Sequence, residues 1–349
     1  MRFENVCIEA WGYELPPNII TTEAVENSLA SAYQVLNISK GRLEMLSGIK
    51  ERRWWDSGFV PSDGAVLAAR KALSVFTELG HTQDDIGILV NTSVCRDYLE
   101  PSTASAVHGK LGLPQNSDLF DISNACLGFA SGIVTVANRI ELGQIKAGIV
   151  VSCECGRELV ENTIREIVAN PDKEHFMDSI ASLTIGSGAV CVILTNKSIS
   201  RVGHRLLAVA STNNSSLHTL CQWKPDTSFP SALHHSMKTD GKMILEKGIE
   251  LGVATWQLFE NDTGWNNNTP DRYFCHQVGV IHRNMFFKTL GLDVSKDFTT
   301  IGYLGNTGSV AMPITFAIGV DQGQLLSGQK AAMLGIGSGL CCTMLGLEW

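Results

Sequence analysis

The stretch Asp121-Ile122-Ser123-Asn124-Ala125-Cys126-Leu127-Gly128-Phe129 has the order of a strand end, a sharp turn and a helix start. Small residues follow it (Ala130, Ser131 and Gly132), which permits close packing of the helix start. A thiol at a helix N-terminus lies beside free backbone N–H groups, so the pattern favours the thiolate of Cys126. The backbone N–H of the same residue can donate a hydrogen bond to an oxyanion that develops during acyl transfer. The alternative is a buried structural cysteine.

Apolar runs of strand length alternate with amphipathic runs of helix length around this stretch. The strand-like runs are not alternating in polarity, which is typical of strands buried on both faces. The βαβα order predicts an α/β fold with a parallel or mixed sheet covered by helices. In the first half the predicted strands are Asp85–Val90, Leu119–Ile122, Ala147–Ser152 and Ala189–Leu194, and the predicted helices are Ala65–Leu79, Thr103–Leu111 and Leu127–Leu142.

The second half repeats this outline. The sequence Gly-Gln-Ile-Lys at 143–146 has a counterpart in Gly-Gln-Lys at 328–330, 185 positions later, and each leads into an apolar strand. This similarity indicates a duplicated half-domain, with halves at 1–196 and 197–349. A polar stretch at 211–242 is interpreted as a long, cap-like loop. The other elements predicted here are strands at Leu206–Ala210 and Tyr273–Cys275 and helices at Val280–Leu290 and Ser309–Leu326.

Composition narrows the class of protein. The 349 residues suit about two domains. With 35 acidic and 27 basic residues the net charge is −8, which argues against a nucleic-acid partner. Ten cysteines, mostly in apolar runs, favour a reducing cytoplasm. Cys153 and Cys155 could form a metal pair, but no second cysteine or histidine pair lies at zinc spacing, which favours packing at a strand end. The N-terminus lacks a signal-peptide pattern, and the longest apolar run, 331–347, is too short and glycine-rich to span a membrane.

Two further polar residues are predicted at strand ends. A nucleophilic cysteine needs a base and groups that polarise a carbonyl. His276 follows an apolar strand, and Asn306 lies in a glycine-bracketed turn before a helix. Taken alone, His276 could be a core histidine and Asn306 a turn or capping residue. The order Cys126, His276, Asn306, each at a strand end, is what predicts a shared site.

The motifs DISNACLGF, CHQV, GYLGNTGS and GIGSGL resemble those of the thiolase superfamily, in its ketoacyl-synthase III branch. SGIKERR at 47–53 adds to the resemblance, which covers essentially the whole chain. It implies a five-layered αβαβα fold of two similar halves and a homodimer. It also implies that Cys126 is acylated and that His276 and Asn306 polarise the thioester carbonyl of a second substrate. The backbone N–H groups of Cys126 and Ser338 would form the oxyanion hole.

Three departures from the usual synthase pattern resemble the OleA type of condensing enzyme. They are Val278-Gly279 after His276-Gln277, Asn124-Ala125 before the nucleophile, and the segment 95–102. This resemblance implies a non-decarboxylative Claisen condensation of two long-chain acyl-CoA thioesters to a 2-alkyl-3-ketoacyl product, with no cofactor. Two alternatives remain. One is 3-oxoacyl-ACP synthase III, which condenses acyl-CoA with malonyl-ACP, and the other is a non-catalytic acyl-binding thiolase-fold partner.

Joining two ordinary acyl thioesters requires removal of an α-proton, so a base is needed beyond His276 and Asn306. Glu100, just before a proline-started helix, is the candidate. By resemblance, this glutamate reaches the active site of the partner subunit. The alternative is a solvated acid at a helix start.

A basic and aromatic cluster is the candidate CoA site. Arg52 and Arg53 suit a CoA phosphate, and Trp54 suits stacking on its adenine. The alternative is an interface or surface cluster.

Overall fold

The computed structural model describes residues 1–225 and 235–349. Its strands are β1 (Val6–Glu14), β2 (Asn18–Thr21), β3 (Glu51–Trp54), β4 (Ile86–Asn91), β5 (Asp118–Asp121), β6 (Ala147–Glu154), β7 (Gly188–Asn196), β8 (His204–Asn213), β9 (Cys221–Pro225), β10 (His235–Thr239), β11 (Arg272–Cys275), β12 (Asp297–Phe298), β13 (Lys330–Gly337) and β14 (Cys341–Glu348). Its α-helices are α1 (Thr22–Ser28), α2 (Ala30–Leu36), α3 (Arg42–Ser47), α4 (Pro61–Glu78), α5 (Thr103–Leu111), α6 (Gly128–Glu141), α7 (Arg157–Ala169), α8 (Lys173–Leu183), α9 (Gly241–Thr263), α10 (Val280–Leu290), α11 (Ile301–Leu304) and α12 (Ala311–Asp321). None of these helices is both long and apolar enough to cross a membrane.

Ten strands form one mixed sheet in the order β12-β11-β13-β14-β8-β1-β7-β6-β4-β5. Outward from the centre, β1, β7, β6, β4 and β5 in one half match β8, β14, β13, β11 and β12 in the other. In each half the two inner pairs are antiparallel and the two outer pairs parallel. The halves meet where β1 pairs with β8 over two residue pairs. The repeated Gly-Gln stretches lead into β6 and β13, which occupy equivalent places, so the two similar halves are confirmed.

Helices cover the sheet in layers. The central helices α6 and α12 lie between the two halves, where Phe129 and Phe316 pack with Val150 and Met333 of the strands. The outer face of the first half is covered by α4 and α5, and that of the second half by α9 and α10. Residues 311–319 of α12 are all buried, as expected for a helix enclosed on every side. The arrangement is the predicted αβαβα layering.

Close packing of α6 against the sheet depends on glycine. A Cβ on Gly128 would lie 2.4 Å from the carbonyl oxygen of Thr92, and one on Gly132 would lie 2.7 Å from a methyl group of Val150. Any larger side chain would push the start of α6 away from the strands. The sequence prediction that small residues allow this approach is confirmed.

Two predicted elements differ from the structure. The helix predicted to reach Leu326 ends at Asp321, because Gly323 takes the left-handed conformation (φ +69) and its N–H bonds to the carbonyl of Val320. The stretch 211–242 is not a continuous loop. It contains the end of β8, the β9–β10 hairpin and the start of α9, while residues 226–234 lie outside the described residues.

Candidate active site

Cys126 lies where the sequence placed it, between a strand end and a helix start. After β5, a short 3₁₀ turn at Ala125–Leu127 carries the cysteine, and α6 begins at Gly128. Ala125 has φ +45, a left-handed conformation that is strained for any residue with a side chain. This turn delivers the thiol directly to the N-terminus of α6.

Two backbone N–H groups surround the thiol. The backbone N–H groups of Cys126 and Ser338 both favour its thiolate and lower the pKa of the thiol. The turn that carries Cys126 packs against β13, and a Cβ on Gly337 would lie 3.4 Å from the Cβ of Cys126. The two N–H groups that the resemblance assigned to an oxyanion hole therefore meet at one point beside the candidate nucleophile.

The protonation state of Cys126 differs from the sequence expectation. Burial raises the pKa of the Cys126 thiol to about 12, the charges of Cys221 and Glu154 act in the same direction, and the two N–H groups oppose them. The free energy needed to remove a thiolate from water is larger than the stabilisation that the N–H groups at the helix start provide. The resting residue is therefore a neutral thiol, and its activation requires a proton acceptor.

His276 follows β11 at the same edge of the sheet as Ser338. Its backbone N–H donates to the carbonyl of Leu334 in β13, at 2.8 Å. Burial lowers the pKa of His276 to about 4, and the charge of His282 contributes in the same direction. The imidazole is therefore neutral at physiological pH. It can accept a proton at one nitrogen and donate an N–H at the other.

Asn306 is held by its own backbone. Its N–H donates to Thr184 O at 3.0 Å, and its carbonyl accepts the N–H of Gly186 at 2.9 Å. The side-chain Oδ1 accepts the N–H of Gly308 at 3.0 Å. This bond orients the amide, so that the Nδ2 group is the one left to donate to a substrate. The 3₁₀ turn at Gly308–Val310 also packs against the turn of Cys126.

Gln277, which was not predicted as a site residue, links His276 to Asn306. The buried side chain of Gln277 accepts the N–H groups of Thr300 and Ile301 at 3.0 and 2.8 Å. It also donates to Phe298 O at 3.1 Å. Gln277 thus caps α11, the helix that leads to Asn306. The signal available in the sequence was an amide directly after the candidate histidine.

Glu100 lies in an anchored loop with an exposed tip. At the end of this loop, the carboxylate of Asp121 accepts the N–H groups of Thr103 and Ala104 at 3.0 and 2.8 Å. At the tip, Leu99 is 100% exposed. Glu100 is also exposed and makes no hydrogen bond or ion pair within the described part of its own chain. Within one chain the structure leaves this carboxylate without a partner.

The candidate CoA cluster is largely enclosed. Arg52 is 1% exposed and Trp54 is 6% exposed. Arg52 donates to Thr22 Oγ1 at 3.2 Å, and Arg53 donates to Pro16 O at 3.1 Å. Since Arg52 and Trp54 present almost no surface to solvent, their burial does not favour contact with a CoA phosphate or adenine.

The titration of His276 is a direct test of this geometry. We expect a midpoint of about 4, below the ordinary value of about 6.5. Because the unfolded chain binds the proton first, this group should make the fold less stable as the pH falls from 6.5 to 4. NMR of protein labelled with ¹³C at histidine Cε1 measures the midpoint, and His276→Asn identifies the signal. A midpoint near 6.5 would contradict the burial of this imidazole.

A family model matches the C-terminal part of the chain, and related proteins and solved structures match its whole length. A family model described as 3-oxoacyl-[acyl-carrier-protein (ACP)] synthase III C terminal matches residues 261–349. The acyl-CoA:acyl-CoA alkyltransferase of Shewanella oneidensis is 43% identical over 352 residues, covering 100% of each chain. A crystal structure of Xanthomonas campestris OleA has a TM-score of 0.94 and 33% identity, covering 100% of this chain and 98% of that one. The synthase III FabH of Xanthomonas oryzae has a TM-score of 0.92 and 35% identity, covering 100% of both.

The Xanthomonas campestris OleA has been crystallised with a glutamate changed to glutamine and, separately, with a cysteine changed to alanine. Those two positions are 26 residues apart, the same separation as between Glu100 and Cys126 in this chain.

Proposed function

The chain belongs to the acyl-CoA:acyl-CoA alkyltransferase (OleA) family, and from this premise we propose that it condenses two long-chain acyl-CoA thioesters without decarboxylation. The observation that carries the proposal is the pair of N–H groups, from Cys126 and Ser338, that meet at the Cys126 sulfur. Such a pair is what acyl transfer to a thiol requires. The product is a 2-alkyl-3-ketoacyl thioester or the acid derived from it.

The first half-reaction acylates Cys126. His276, neutral because of its lowered pKa, takes the thiol proton as the sulfur attacks the thioester carbonyl. The N–H groups of Cys126 and Ser338 hold the oxyanion. When the carbon–sulfur bond to CoA breaks, His276 passes its proton to the leaving CoA thiolate. The imidazole is then neutral again for the next step.

The second half-reaction forms the carbon–carbon bond. His276 and the Nδ2 group of Asn306 donate hydrogen bonds to the thioester carbonyl of the second acyl-CoA, which makes its α-proton more acidic. Glu100 removes that proton, and the resulting enolate attacks the acyl group on Cys126. The bond between the acyl carbon and Cys126 breaks, and the proton that Glu100 removed passes to the Cys126 thiolate, which restores both groups for the next turnover.

A homodimer is part of this proposal, with Glu100 entering the active site of the partner subunit. The support is the loop itself, which is anchored through Asp121 while Leu99 and Glu100 stand exposed. The equal glutamate–cysteine separation in the Xanthomonas campestris protein also supports Glu100. A C2 dimer would supply each site with one such loop.

A second candidate function is 3-oxoacyl-ACP synthase III. It is favoured by the family model that matches residues 261–349 and by the likeness to the Xanthomonas oryzae synthase. That reaction produces its carbanion by loss of CO₂ from a malonyl group, so it has no need of Glu100 as a base.

One experiment separates the two functions. Purified protein is incubated with a single long-chain acyl-CoA and no malonyl donor. We expect free CoA together with a β-keto acid, or with the ketone formed by its spontaneous decarboxylation, measured by mass spectrometry. Boiled protein is the control. Condensation that occurs only when malonyl-ACP is added would contradict the proposal and favour the synthase.

A further inference from the structure

Glu154, the last residue of β6, is a buried carboxyl that none of these steps uses. Its exposure is 4%. Burial raises the pKa of this carboxyl, and hydrogen bonds from Ser309 and from the N–H of Val94 lower it. A buried carboxylate is tolerated only where donors surround it, so these partners indicate what it holds in place.

On one side, Glu154 holds the start of the loop that carries Glu100. Its Oε1 accepts the N–H of Val94 at 2.9 Å, and its Oε2 accepts the N–H of Cys95 at 3.2 Å. β4 ends at Asn91, so these bonds fix the chain just after it leaves the sheet. Hydrogen bonds to an ionised acceptor are the stronger kind. Glu154 thus anchors the near end of this loop, and Asp121 anchors the far end.

On the other side, Glu154 holds the turn that follows Asn306. The hydroxyl of Ser309 donates to its Oε1 at 2.5 Å. A Cβ on Gly308 would lie 3.5 Å from the Cγ of Glu154, so the turn rests directly on this side chain. Since the Gly308 N–H donates to the Oδ1 of Asn306, the carboxylate and the Asn306 amide are held by the same short turn.

The charge of the same carboxylate also acts on the nucleophile. The charge of Glu154 contributes to the raised pKa of Cys126, which requires the two groups to be within electrostatic reach. Cys126 and its N–H partners, however, are positioned by α6 and β13. Glu154 therefore hydrogen-bonds to the two loops of the second half-reaction, and it acts on the nucleophile through its charge and through the packing of the 308–310 turn.

We propose that Glu154 is a positioning residue that ties the Glu100 loop to the Asn306 turn. In the proposed dimer it holds in place both the loop whose Glu100 serves the partner's site and the turn that follows Asn306 in its own site. Glu154 itself forms no bond to substrate. The inference rests on the proposed function and deepens it, because it assigns the effect of this residue to carbon–carbon bond formation.

The test is Glu154→Gln, which keeps the size of the side chain but turns one acceptor into a donor facing another donor. We expect condensation to fall about 100-fold, the effect of a catalytic group displaced by about 1 Å. The acylation of Cys126, measured by intact mass, should change little. Loss of the negative charge should also move the iodoacetamide reactivity of Cys126 to lower pH, which a purely structural role would not predict.

Two further variants serve as controls. Glu154→Asp keeps the charge and should recover part of the condensation rate. Glu158→Gln alters an exposed glutamate at the start of α7 and should match the wild type in both half-reactions. Circular dichroism verifies that each variant is folded. An unchanged condensation rate in Glu154→Gln, or an equal loss of acylation and condensation, would overturn the proposal.

Amide hydrogen exchange tests Glu154 independently of the reaction. In Glu154→Gln, exchange at residues 94–95 should accelerate, since their N–H groups lose a charged acceptor. If the wild type itself makes no product from a single acyl-CoA, the proposed function fails, and exchange and thiol modification then decide the role of Glu154. Unchanged exchange together with an unchanged pH dependence of Cys126 modification would overturn it.

Discussion

Replacing Cys126 with alanine should lower the rate of condensation on the order of 10⁴-fold or more, because the acyl group loses its point of attachment. The wild type, incubated with one acyl-CoA, should gain the mass of the acyl group, and Cys126→Ala should gain nothing. Intact-mass measurement on the folded proteins records both results. The backbone N–H groups that surround the sulfur remain in the variant, so acyl-CoA binding should persist.

The matched control is Cys221→Ala, since Cys221 is the neighbouring thiol whose charge acts on Cys126. This variant should keep the mass gain. A mass gain that persists in Cys126→Ala and disappears in Cys221→Ala would show that Cys221, and not Cys126, is the nucleophile. A wild type that binds acyl-CoA but never gains mass would instead indicate a non-catalytic acyl-binding protein.

Replacing Glu100 with glutamine should separate the two half-reactions. Cys126 should still be acylated, while condensation should fall by about 10² to 10⁴-fold, the usual contribution of a general base. Intact mass measures the first step, and product formation from a single acyl-CoA measures the second. Glu78→Gln, at an exposed glutamate on α4, should leave both unchanged. A parallel loss of acylation and condensation would contradict the assignment of Glu100 as the α-proton acceptor.

Mixed dimers test whether Glu100 acts across the interface. Cys126→Ala and Glu100→Gln subunits should each show little or no condensation when tested separately. They are then mixed in equal amounts and allowed to exchange. If Glu100 serves the partner's site, each heterodimer has one complete site, and about a quarter of wild-type activity should return in a symmetric dimer. If Glu100 serves its own chain, no heterodimer has a complete site and the mixture should stay inactive.

The core strands could be predicted because their own residues carry the signal. β6 and β7 are apolar on both faces, and this pattern follows from burial between two layers of helices. β1 carries no such uninterrupted run, since Glu9 stands in its middle. Glu9 is tolerated there because His81 and Ser200 lie 2.9 and 2.6 Å from its carboxylate oxygens. Those partners are distant in the chain, so the strand emerges only from tertiary contacts.

The candidate site likewise contains some residues that could be predicted from the sequence and others that could not. The order Cys126, His276, Asn306 could be predicted, since each residue follows a recognisable strand end or turn. The roles of Gln277 and Glu154 could not, because an amide or carboxylate takes its function from donors brought in by other elements. Arg52 and Trp54, basic and aromatic as a CoA site would require, are enclosed by neighbouring helices, which no local pattern indicated.

Residue order and local periodicity alone determined the two-half α/β organisation and the elements that bear the three candidate residues. They also determined that Cys126 directly precedes a helix, because a strand–turn–helix junction is encoded by adjacent residues. Only the tertiary structure decided the protonation states of the site, which are a neutral thiol at Cys126 and a neutral imidazole at His276. The physical reason is that ionisation depends on how much water and charge surround a group, and both are set by residues far away in the chain.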